Sequence, residues 1–198
     1  MIRALHESTA AAVIRLADTV VDGGGSSLGT LLPRMRELEL VRGAKLFEEA
    51  QENRFEYLVL NGLLRSFIVD VEGREVTVAF HEGPGVLTPW VARSDGARSL
   101  VGCEALQASH LVRFEAEALT ELMVRDETAR RWGNHLLQAE LVRRTRREWS
   151  LAAEPAARRL ARFRADHPAV EKAVSGTVVA SYLGITPVSL SRLRSDCR

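Results

Sequence analysis

The stretch VVASYLGITPVSLSRLR, from Val178 to Arg194, determines how the carboxyl end of this chain folds. Apolar residues recur at helical spacing on both sides of Gly184, and serines and arginines are concentrated in the second segment. Glycine readily adopts the left-handed backbone conformation that ends many helices. We therefore predict two short helices joined by a tight turn at Gly184.

The residue types around this turn fit a helix-turn-helix. Ala180 is small where the two helices would cross, and Val179 and Leu183 supply an apolar inner face. Thr186 can cap the second helix, and Pro187 suits its first turn, where proline loses no hydrogen bond. In DNA-binding units of this kind the second helix lies in the major groove.

The predicted outer face of the second helix carries hydroxyls and arginines. Arginine can donate two hydrogen bonds to a guanine edge, and hydroxyls can contact phosphates or bases. The start of the first helix offers hydroxyls and free amides that suit a phosphate. We predict double-stranded DNA as the partner, contacted by Ser175, Thr177, Thr186, Val188, Ser189, Ser191, Arg192 and Arg194. The alternative is a helix-turn-helix that serves only as a packing corner.

The charge distribution also indicates a polyanionic partner for the last third of the chain. The net charge is only +1, yet residues 131–198 hold 13 Lys or Arg and 6 Asp or Glu. A basic region beside an acidic remainder is typical of nucleic-acid binding. A solvated, arginine-rich helix would give the same pattern, and Arg143, Arg144, Arg146 and Arg147 are interpreted in that way.

In residues 40–115, apolar and polar residues alternate with the period of two that is typical of β-strands. FEYLVLNGLLRSFIVDV and GREVTVAF alternate apolar and polar residues, with turns predicted at Asn61-Gly62 and Glu72-Gly73. Short strands at regular intervals predict an antiparallel jelly roll or small barrel. The fold class is therefore α+β.

A helical zone follows from about residue 117 to residue 152. Its apolar residues recur near three and four, which predicts a helix too long for one small barrel to cover. We predict that the spare face packs against a second copy of the chain, with a helix pair inside one chain as the alternative. The predicted dimer interface comprises Trp132, Leu136, Ala139, Val142 and Trp149. The resulting domains are 1–116, 117–152 and 153–198.

The amino-terminal segment predicts a helix, a linker and a second helix. Helical spacing covers residues 8–21, the triple glycine of Asp22–Ser27 predicts a flexible linker, and a short helix is expected from Leu28 to Leu38. No apolar stretch approaches the roughly 20 residues that cross a bilayer. Cys103 and Cys197 form neither a disulfide framework nor a metal-binding spacing. We expect a cytoplasmic protein.

At this point the sequence resembles the Crp/Fnr family of bacterial transcription regulators. LGITPVSLSRLR resembles the family signature, and the order of barrel, long helix and helix-turn-helix matches. The glycines Gly43, Gly62 and Gly85 resemble the structural glycines of the family barrel, which is related to cyclic nucleotide-binding domains. The resemblance covers roughly residues 40 to 198. It implies a homodimeric regulator on a palindromic site, with RNA polymerase as a candidate partner and no catalytic residue.

The resemblance also assigns roles to individual residues. Arg192 matches the family's base-reading arginine, and Ser191 matches the serine before it. Val188 stands where most members carry a base-contacting glutamate. Because valine cannot accept a hydrogen bond from cytosine, a thymine methyl would suit it better.

For the effector, the family pattern is matched only in part. Arg98-Ser99 resembles the pair that holds the cyclic phosphate, with an ordinary surface arginine as the alternative. Thr88 and Pro89 stand near the place of the ribose-binding glutamate, so cyclic AMP is not predicted. The effector is unknown, and an effector-independent regulator is compatible with the sequence.

Other cofactors are not predicted either. The absence of cysteine before Cys103 excludes the iron–sulfur version of the family sensor. A haem version stays open, although His81, His110 and His135 are interpreted as polar barrel or helix positions. Two further alternatives are a cupin-type metalloenzyme using His81 or His110, and a ligand- or partner-binding module without DNA binding. No metal site is expected.

Overall fold

The computed structural model describes residues 2–87 and 98–196 of the 198-residue chain. The strands are β1 (Ile2–Ala4), β2 (Arg36–Leu40), β3 (Lys45–Phe47), β4 (Phe55–Asn61), β5 (Leu63–Val69), β6 (Glu75–Glu82), β7 (Gly85–Leu87), β8 (Gly102–Ala105) and β9 (Ser109–Glu115). The helices are α1 (Glu7–Val20), α2 (Gly24–Gly29), α3 (Ala116–Arg125), α4 (Glu127–Ala153), α5 (Ala156–Asp166), α6 (Val170–Ala173), α7 (Gly176–Leu183) and α8 (Pro187–Asp196).

The strands form two antiparallel sheets, as the alternating pattern predicts. One sheet has the order β1-β2-β9-β4-β7, and the other has the order β3-β8-β5-β6. Apolar side chains from both sheets share a core that includes Tyr57, Leu64, Cys103 and Leu111. The antiparallel β-domain expected before the helices is thus confirmed.

Both predicted turns are present. Gly62 separates β4 from β5 with a φ of +106°, and a Cβ at this position would lie 2.6 Å from Ser109 Cα. Only glycine suits both the positive φ and the close approach of β9. Gly73 occupies the second turn, between β5 and β6.

The flexible linker predicted at Asp22–Ser27 is wrong. Residues 24–29 form α2, which packs along α1. The Gly25 amide donates to the Asp18 carboxylate at 2.7 Å, and a Cβ on Gly25 would lie 2.6 Å from the Ile14 carbonyl oxygen. The glycines therefore allow two helices to approach closely.

The helix predicted from Leu28 to Leu38 is also wrong for most of its length. A 3₁₀ turn at Leu32–Arg34 leads directly into β2. β2 pairs with β1, an amino-terminal strand that the sequence did not indicate. Glu37 is fixed between these elements, because its buried carboxylate accepts Arg3 Nε at 2.8 Å and the His6 amide at 2.7 Å.

The predicted long helix is divided at Asp126. The Asp126 carboxylate accepts the Ala129 amide at 2.8 Å and the Ser27 hydroxyl at 2.9 Å, so it caps α4 and ends α3. Trp132 then enters the core of its own chain with only 1% of its surface exposed. Trp132 therefore offers no surface to a dimer interface, and its assignment there is corrected.

The carboxyl-terminal helices share one core with the outer face of the barrel. Leu160 and Phe163 of α5 pack with Val179 and Leu183 of α7. Phe80 of β6 belongs to the same buried cluster. The terminal helices are thus held directly against the four-stranded sheet.

Candidate nucleic-acid interface and internal cavities

The two terminal helices are held together by caps and a tight turn. Ser175 caps α7, because its hydroxyl accepts the Val178 amide at 3.3 Å. Gly184 adopts a left-handed conformation with φ +65°. The Ile185 amide then donates to the Ala180 carbonyl at 3.0 Å, which closes the turn. These local contacts agree with the turn predicted from the sequence.

The second helix begins at a hydroxyl cap. The Thr186 hydroxyl accepts the Ser189 amide at 3.1 Å, and its oxygen lies 2.9 Å from Ser189 Oγ. Pro187 occupies the first position of α8. Leu190 is 1% exposed and fixes the inner face of α8 against Val179 and Leu183.

The opposite face of α8 points outward. Val188 is 62% exposed, and Ser191 and Arg192 are exposed one turn further along the helix. Within the described part of the chain, Arg192 makes no hydrogen bond or ion pair. The predicted DNA-contacting residues that are exposed to solvent are Ser175, Thr177, Thr186, Val188, Ser191 and Arg192.

Arg194 and Ser189 differ from the other members of the predicted set. Arg194 Nε donates to the Glu171 carboxylate at 3.1 Å, and Arg164 donates to the same carboxylate at 2.8 Å. Hydrogen bonds from Arg164, together with those from Arg194, lower the pKa of Glu171 despite its partial burial. Arg194 is therefore engaged within the protein, and Ser189 is half-buried beside Thr186.

Tyr182 of α7 lies at the junction of three elements. Its ring is 4.9 Å from that of Phe80 in β6 and 5.5 Å from that of Phe163 in α5. The Arg147 guanidinium of α4 lies 4.0 Å from the ring centroid of Tyr182. The sequence did not indicate this junction, because its members are far apart along the chain.

The four arginines interpreted as a solvated face divide into two pairs. Arg144 and Arg146 are exposed, whereas Arg143 and Arg147 are half-buried and face the body of the molecule. Arg143 and Arg147 are four residues apart and so share one side of the helix. In the sequence, this four-residue spacing is the one feature that separates Arg143 and Arg147 from the two exposed arginines.

A cavity of about 560 Å³ lies between the four-stranded sheet and α4. His81 lines it, and its Nε2 lies 2.8 Å from Ser66 Oγ. Burial lowers the pKa of His81 to about 4, and the positive charge of Arg143 is the second contribution to this decrease. The polar part of the wall is completed by Glu140, Arg143, Arg144, Arg147 and Glu148.

Arg98 and Ser99 do not line this cavity. Arg98 donates to the Ala50 carbonyl at 2.8 Å, and the buried Ser99 donates to the Val101 carbonyl at 2.7 Å. Arg98 thus holds the segment before β4 through its side chain, and Ser99 holds it through its main chain, which bonds the Ala50 amide and the Gln51 carbonyl. Thr88 and Pro89 lie outside the described residues, and an anion site at Arg98 and Ser99 stays a prediction.

The histidines named for a metalloenzyme are on different sheets. His81 is on β6 and contacts Ser66, whereas His110 is on β9 with Nε2 3.4 Å from the Glu37 carboxylate. Burial alone would raise the pKa of Glu37, but hydrogen bonds from Thr9, the His6 amide and Arg3 outweigh it and lower the pKa to about 2. No group of three or more His, Cys, Asp or Glu in residues 2–87 and 98–196 could hold a metal ion.

The remaining predicted interface residues lie along α4. Leu136 packs against the buried cluster that contains Trp132 and the amino-terminal helices, so only part of its surface is accessible. Ala139 is exposed, as are Val142 at 47% and Trp149 at 55% of their surface. Val142 and Trp149 are two helical turns apart and share one face of the helix.

The sequence of the barrel matches a known domain family. Residues 37–126 match the model of the cyclic nucleotide-binding domain, which spans β2 to the end of α3. No curated protein sequence is significantly similar to this chain. None of the described helices is long and apolar enough to cross a membrane.

Solved structures share most of this arrangement. FixK2 from Bradyrhizobium japonicum superposes with a TM-score of 0.70 and 20% identity, over 81% of this chain and 82% of that chain. CLP from Xanthomonas campestris is described as a c-di-GMP responsive global regulator that links cell–cell signalling to virulence gene expression. It superposes with a TM-score of 0.71 and 16% identity, over 87% of this chain and 90% of that chain. A protein from Eubacterium rectale, described as a transcriptional regulator of the Crp/Fnr family, superposes with a TM-score of 0.69 and 17% identity, over 85% of this chain and 80% of that chain.

These likenesses establish the fold. The chain carries a cyclic nucleotide-binding domain followed by a long helix and carboxyl-terminal helices, as in structures of Crp/Fnr regulators. The resemblance drawn from the sequence is confirmed at that level.

Proposed function

We propose that this chain is a sequence-specific DNA-binding transcription regulator of the Crp/Fnr type. The observation that carries the proposal is the outer face of α8, where Arg192 is exposed while Leu190 anchors the opposite side. An exposed helix with an uncompensated arginine and neighbouring hydroxyls suits the major groove of duplex DNA. The hydroxyl and amide groups at the start of α7 suit an adjacent phosphate.

The proposal includes a homodimer on a palindromic site. Leu141, Val142 and Trp149 expose apolar surface on α4, on the side of the helix that does not face the barrel. A second copy of α4 would bury this surface, and a two-fold axis would present two recognition helices. Each would read one half-site, with centres about 10 base pairs or a multiple apart.

The cavity between the four-stranded sheet and α4 gives the proposed regulator a place for a small-molecule effector. Its wall combines apolar side chains with His81 and the arginines of α4. An occupant would contact α4 directly and so bias how two copies of α4 pack. The proposal names no cofactor and implies a cytoplasmic location, with RNA polymerase as a candidate partner.

In vitro selection of DNA sequences with the full chain tests the function. We expect selected fragments to share a palindromic motif. Substitution Arg192→Ala should weaken binding to this motif by roughly 10-fold or more, because a bidentate base contact is lost. Arg131→Ala is the matched control, since it removes an exposed arginine of α4 and the same charge.

Two outcomes would count against the proposal. The selection could yield no enriched motif, which would favour a ligand- or partner-binding module. Alternatively, fluorescence anisotropy could give the same affinity for Arg192→Ala and Arg131→Ala, which would remove α8 as the reading helix.

A further inference from the structure

A second cavity lies between α4, α5 and α7, next to the cavity that contains His81, and the two share wall residues of α4 that include Arg143 and Arg147. It has a volume of about 640 Å³. Five arginines line it, and we call it the arginine cleft: Arg143, Arg146, Arg147, Arg159 and Arg162. Asp166 is the one carboxylate among the residues described on its wall.

The charges of these arginines are compensated unequally. Arg143 donates two hydrogen bonds to Glu140, and Arg162 donates to the buried carboxylate of Glu154 at 2.6 Å. Within residues 2–87 and 98–196, Arg146 makes no hydrogen bond or ion pair. The cleft therefore has an excess of positive charge.

Arg147 and Arg159 are held by main-chain oxygens. Arg147 donates to the Thr77 carbonyl at 3.2 Å, and Arg159 donates to the Glu154 carbonyl at 2.7 Å. Carbonyl oxygens accept hydrogen bonds but bring no formal negative charge. These contacts orient the two guanidiniums and leave their charges uncompensated.

The electrostatic setting of Arg147 is unfavourable to a cation. Burial is the largest effect that lowers the pKa of Arg147, and the positive charges of Arg143 and Arg159 lower it further. Arg159 Nε is buried and has no hydrogen-bond partner. Buried donors in native proteins almost always have partners, so such a group calls for an acceptor. An anion in the cleft would satisfy the donor and offset the repulsion.

We propose that the arginine cleft binds a phosphorylated organic molecule. The phosphate would accept hydrogen bonds from Arg147 and Arg159, with Arg146 at the entrance. A phosphate offers several charged oxygens that arginines approach from different directions. The rings of Phe163 and Tyr182 form part of the wall and would pack against the organic part of the ligand.

The size of the cleft favours a small molecule over a bare ion or a DNA strand. Ligand cavities of about 300–1,000 Å³ hold small organic molecules. Arg147 and Arg159 are half-buried under the terminal helices, whereas a duplex contacts exposed cations. An occupant would touch α4, α5 and α7 together, and it would therefore stabilise their junction.

Isothermal titration calorimetry with the full chain at low salt tests the proposal. Adenosine monophosphate and ribose 5-phosphate are the phosphorylated probes, and uncharged adenosine is the reference. We expect the phosphorylated probes to bind and adenosine not to bind. Arg159→Gln and Arg146→Gln should each weaken binding about 10-fold, because each removes a charged donor. Arg146→Gln is the safer variant for folding, since Arg146 is exposed.

The matched control is Arg144→Gln. Arg144 lies on the same helix and lines the cavity that contains His81, but it does not line the arginine cleft. Binding should be unchanged in this variant. The proposal is overturned if no probe binds at about 10 mM, a concentration well above the weak affinities of single fragments. It is also overturned if adenosine binds as tightly as its phosphate, or if Arg144→Gln weakens binding as much as Arg159→Gln. The test uses no DNA, so its failure would leave the proposed regulator function standing.

Discussion

Ser181 Oγ lies 3.0 Å from Thr77 Oγ1, and this contact joins the terminal helices to the barrel. The Thr77 amide also donates to Ser181 Oγ at 3.2 Å, and the Thr77 carbonyl accepts Arg147. Thr77 is completely buried on β6. The position of the candidate DNA-binding helices relative to the barrel is thus fixed by a buried polar network.

Removing the Thr77 hydroxyl should weaken this junction. Thr77→Val keeps the shape of the side chain but removes the hydroxyl oxygen. Ser181 and Arg65 both donate to this oxygen in the native chain, and each would lose that hydrogen bond. We expect the free energy of unfolding to fall by about 1–3 kcal/mol, the cost of unsatisfied buried polar groups. Urea denaturation measures it. Thr120→Val is the control, because the exposed Thr120 hydroxyl bonds only within α3, and equal losses in both variants would contradict the prediction.

Two glycines of α2 should respond oppositely to alanine. A Cβ on Gly25 would lie 2.6 Å from both the Ile14 carbonyl oxygen and the Asp18 carboxylate. Gly25→Ala should therefore lower the free energy of unfolding by about 1–3 kcal/mol through overpacking. Gly29 has no atom within 4 Å of its would-be Cβ, so Gly29→Ala should be neutral or stabilise by up to about 1 kcal/mol. Thermal or urea denaturation of the two variants distinguishes close packing from a loose linker, which would tolerate both.

The glycine segment shows why part of the fold was not predictable. Three glycines in a row have low helix propensity in isolation, and the sequence was interpreted accordingly. In the folded chain, close packing of α2 on α1 outweighs that propensity, and local sequence carries no record of the neighbour. The barrel and the terminal turn were predictable because their sequence signals are local. Polarity alternates within each strand, and Gly62 and Gly184 mark turns at single positions.

The candidate site was likewise predictable only where its signal was local. The exposed face of α8 follows from the spacing of Leu190 and Arg192 within one helix. By contrast, the arginine cleft is assembled from α4 and α5, and an arginine that faces a cleft has the same helical spacing as one that faces water. The break at Asp126 did have a local signal that was missed, since its carboxylate accepts the Ala129 amide three residues on, and the Ser27 hydroxyl adds a second, long-range bond.

His81 should make stability depend on pH. Its folded pKa of about 4 is below the ordinary value of 6.5, so the unfolded state binds a proton that the folded state does not. The contribution of the neutral imidazole to the free energy of unfolding is fully present above pH 6.5, and it is lost as the pH falls toward 4. Between about pH 7 and about pH 5, we expect the native chain to lose up to about 2 kcal/mol more than His81→Gln does.

Urea denaturation of both proteins across this range provides the measurement. Glutamine can still hydrogen-bond Ser66 but does not titrate, which makes it the appropriate replacement. Below about pH 4.5 the carboxylate of Glu37 begins to contribute in both proteins, because its folded pKa is lowered to about 2. Parallel stability curves between pH 7 and 5 would show that His81 is not held neutral by the fold.

The exposed face of α4 should mediate dimerisation. Trp149→Asp introduces a charge into the apolar surface that a second α4 would cover, and burying that charge is unfavourable. We expect size-exclusion chromatography with light scattering to show a dimer for the native chain and a monomer for Trp149→Asp. Val124→Asp is the control, since Val124 is an 83% exposed apolar residue of α3 outside this face. A native monomer, or dissociation by both substitutions alike, would contradict the prediction.

Val188 should set the base preference at one position of each half-site. Its methyl groups are 62% exposed on α8, four residues before Arg192, and they can contact a thymine methyl but cannot accept a hydrogen bond. In Val188→Glu the carboxylate can accept from cytosine N4, so we expect the preferred base to change toward cytosine, with discrimination of about 5-fold to 100-fold. Selection from a library randomised at each half-site position measures this change. Val188→Ala provides the control, because it shortens the apolar side chain without adding an acceptor and should only weaken the native preference. If Val188→Glu and Val188→Ala select the same bases, residue 188 does not face the groove, and the orientation proposed for α8 is wrong even where Arg192 proves essential.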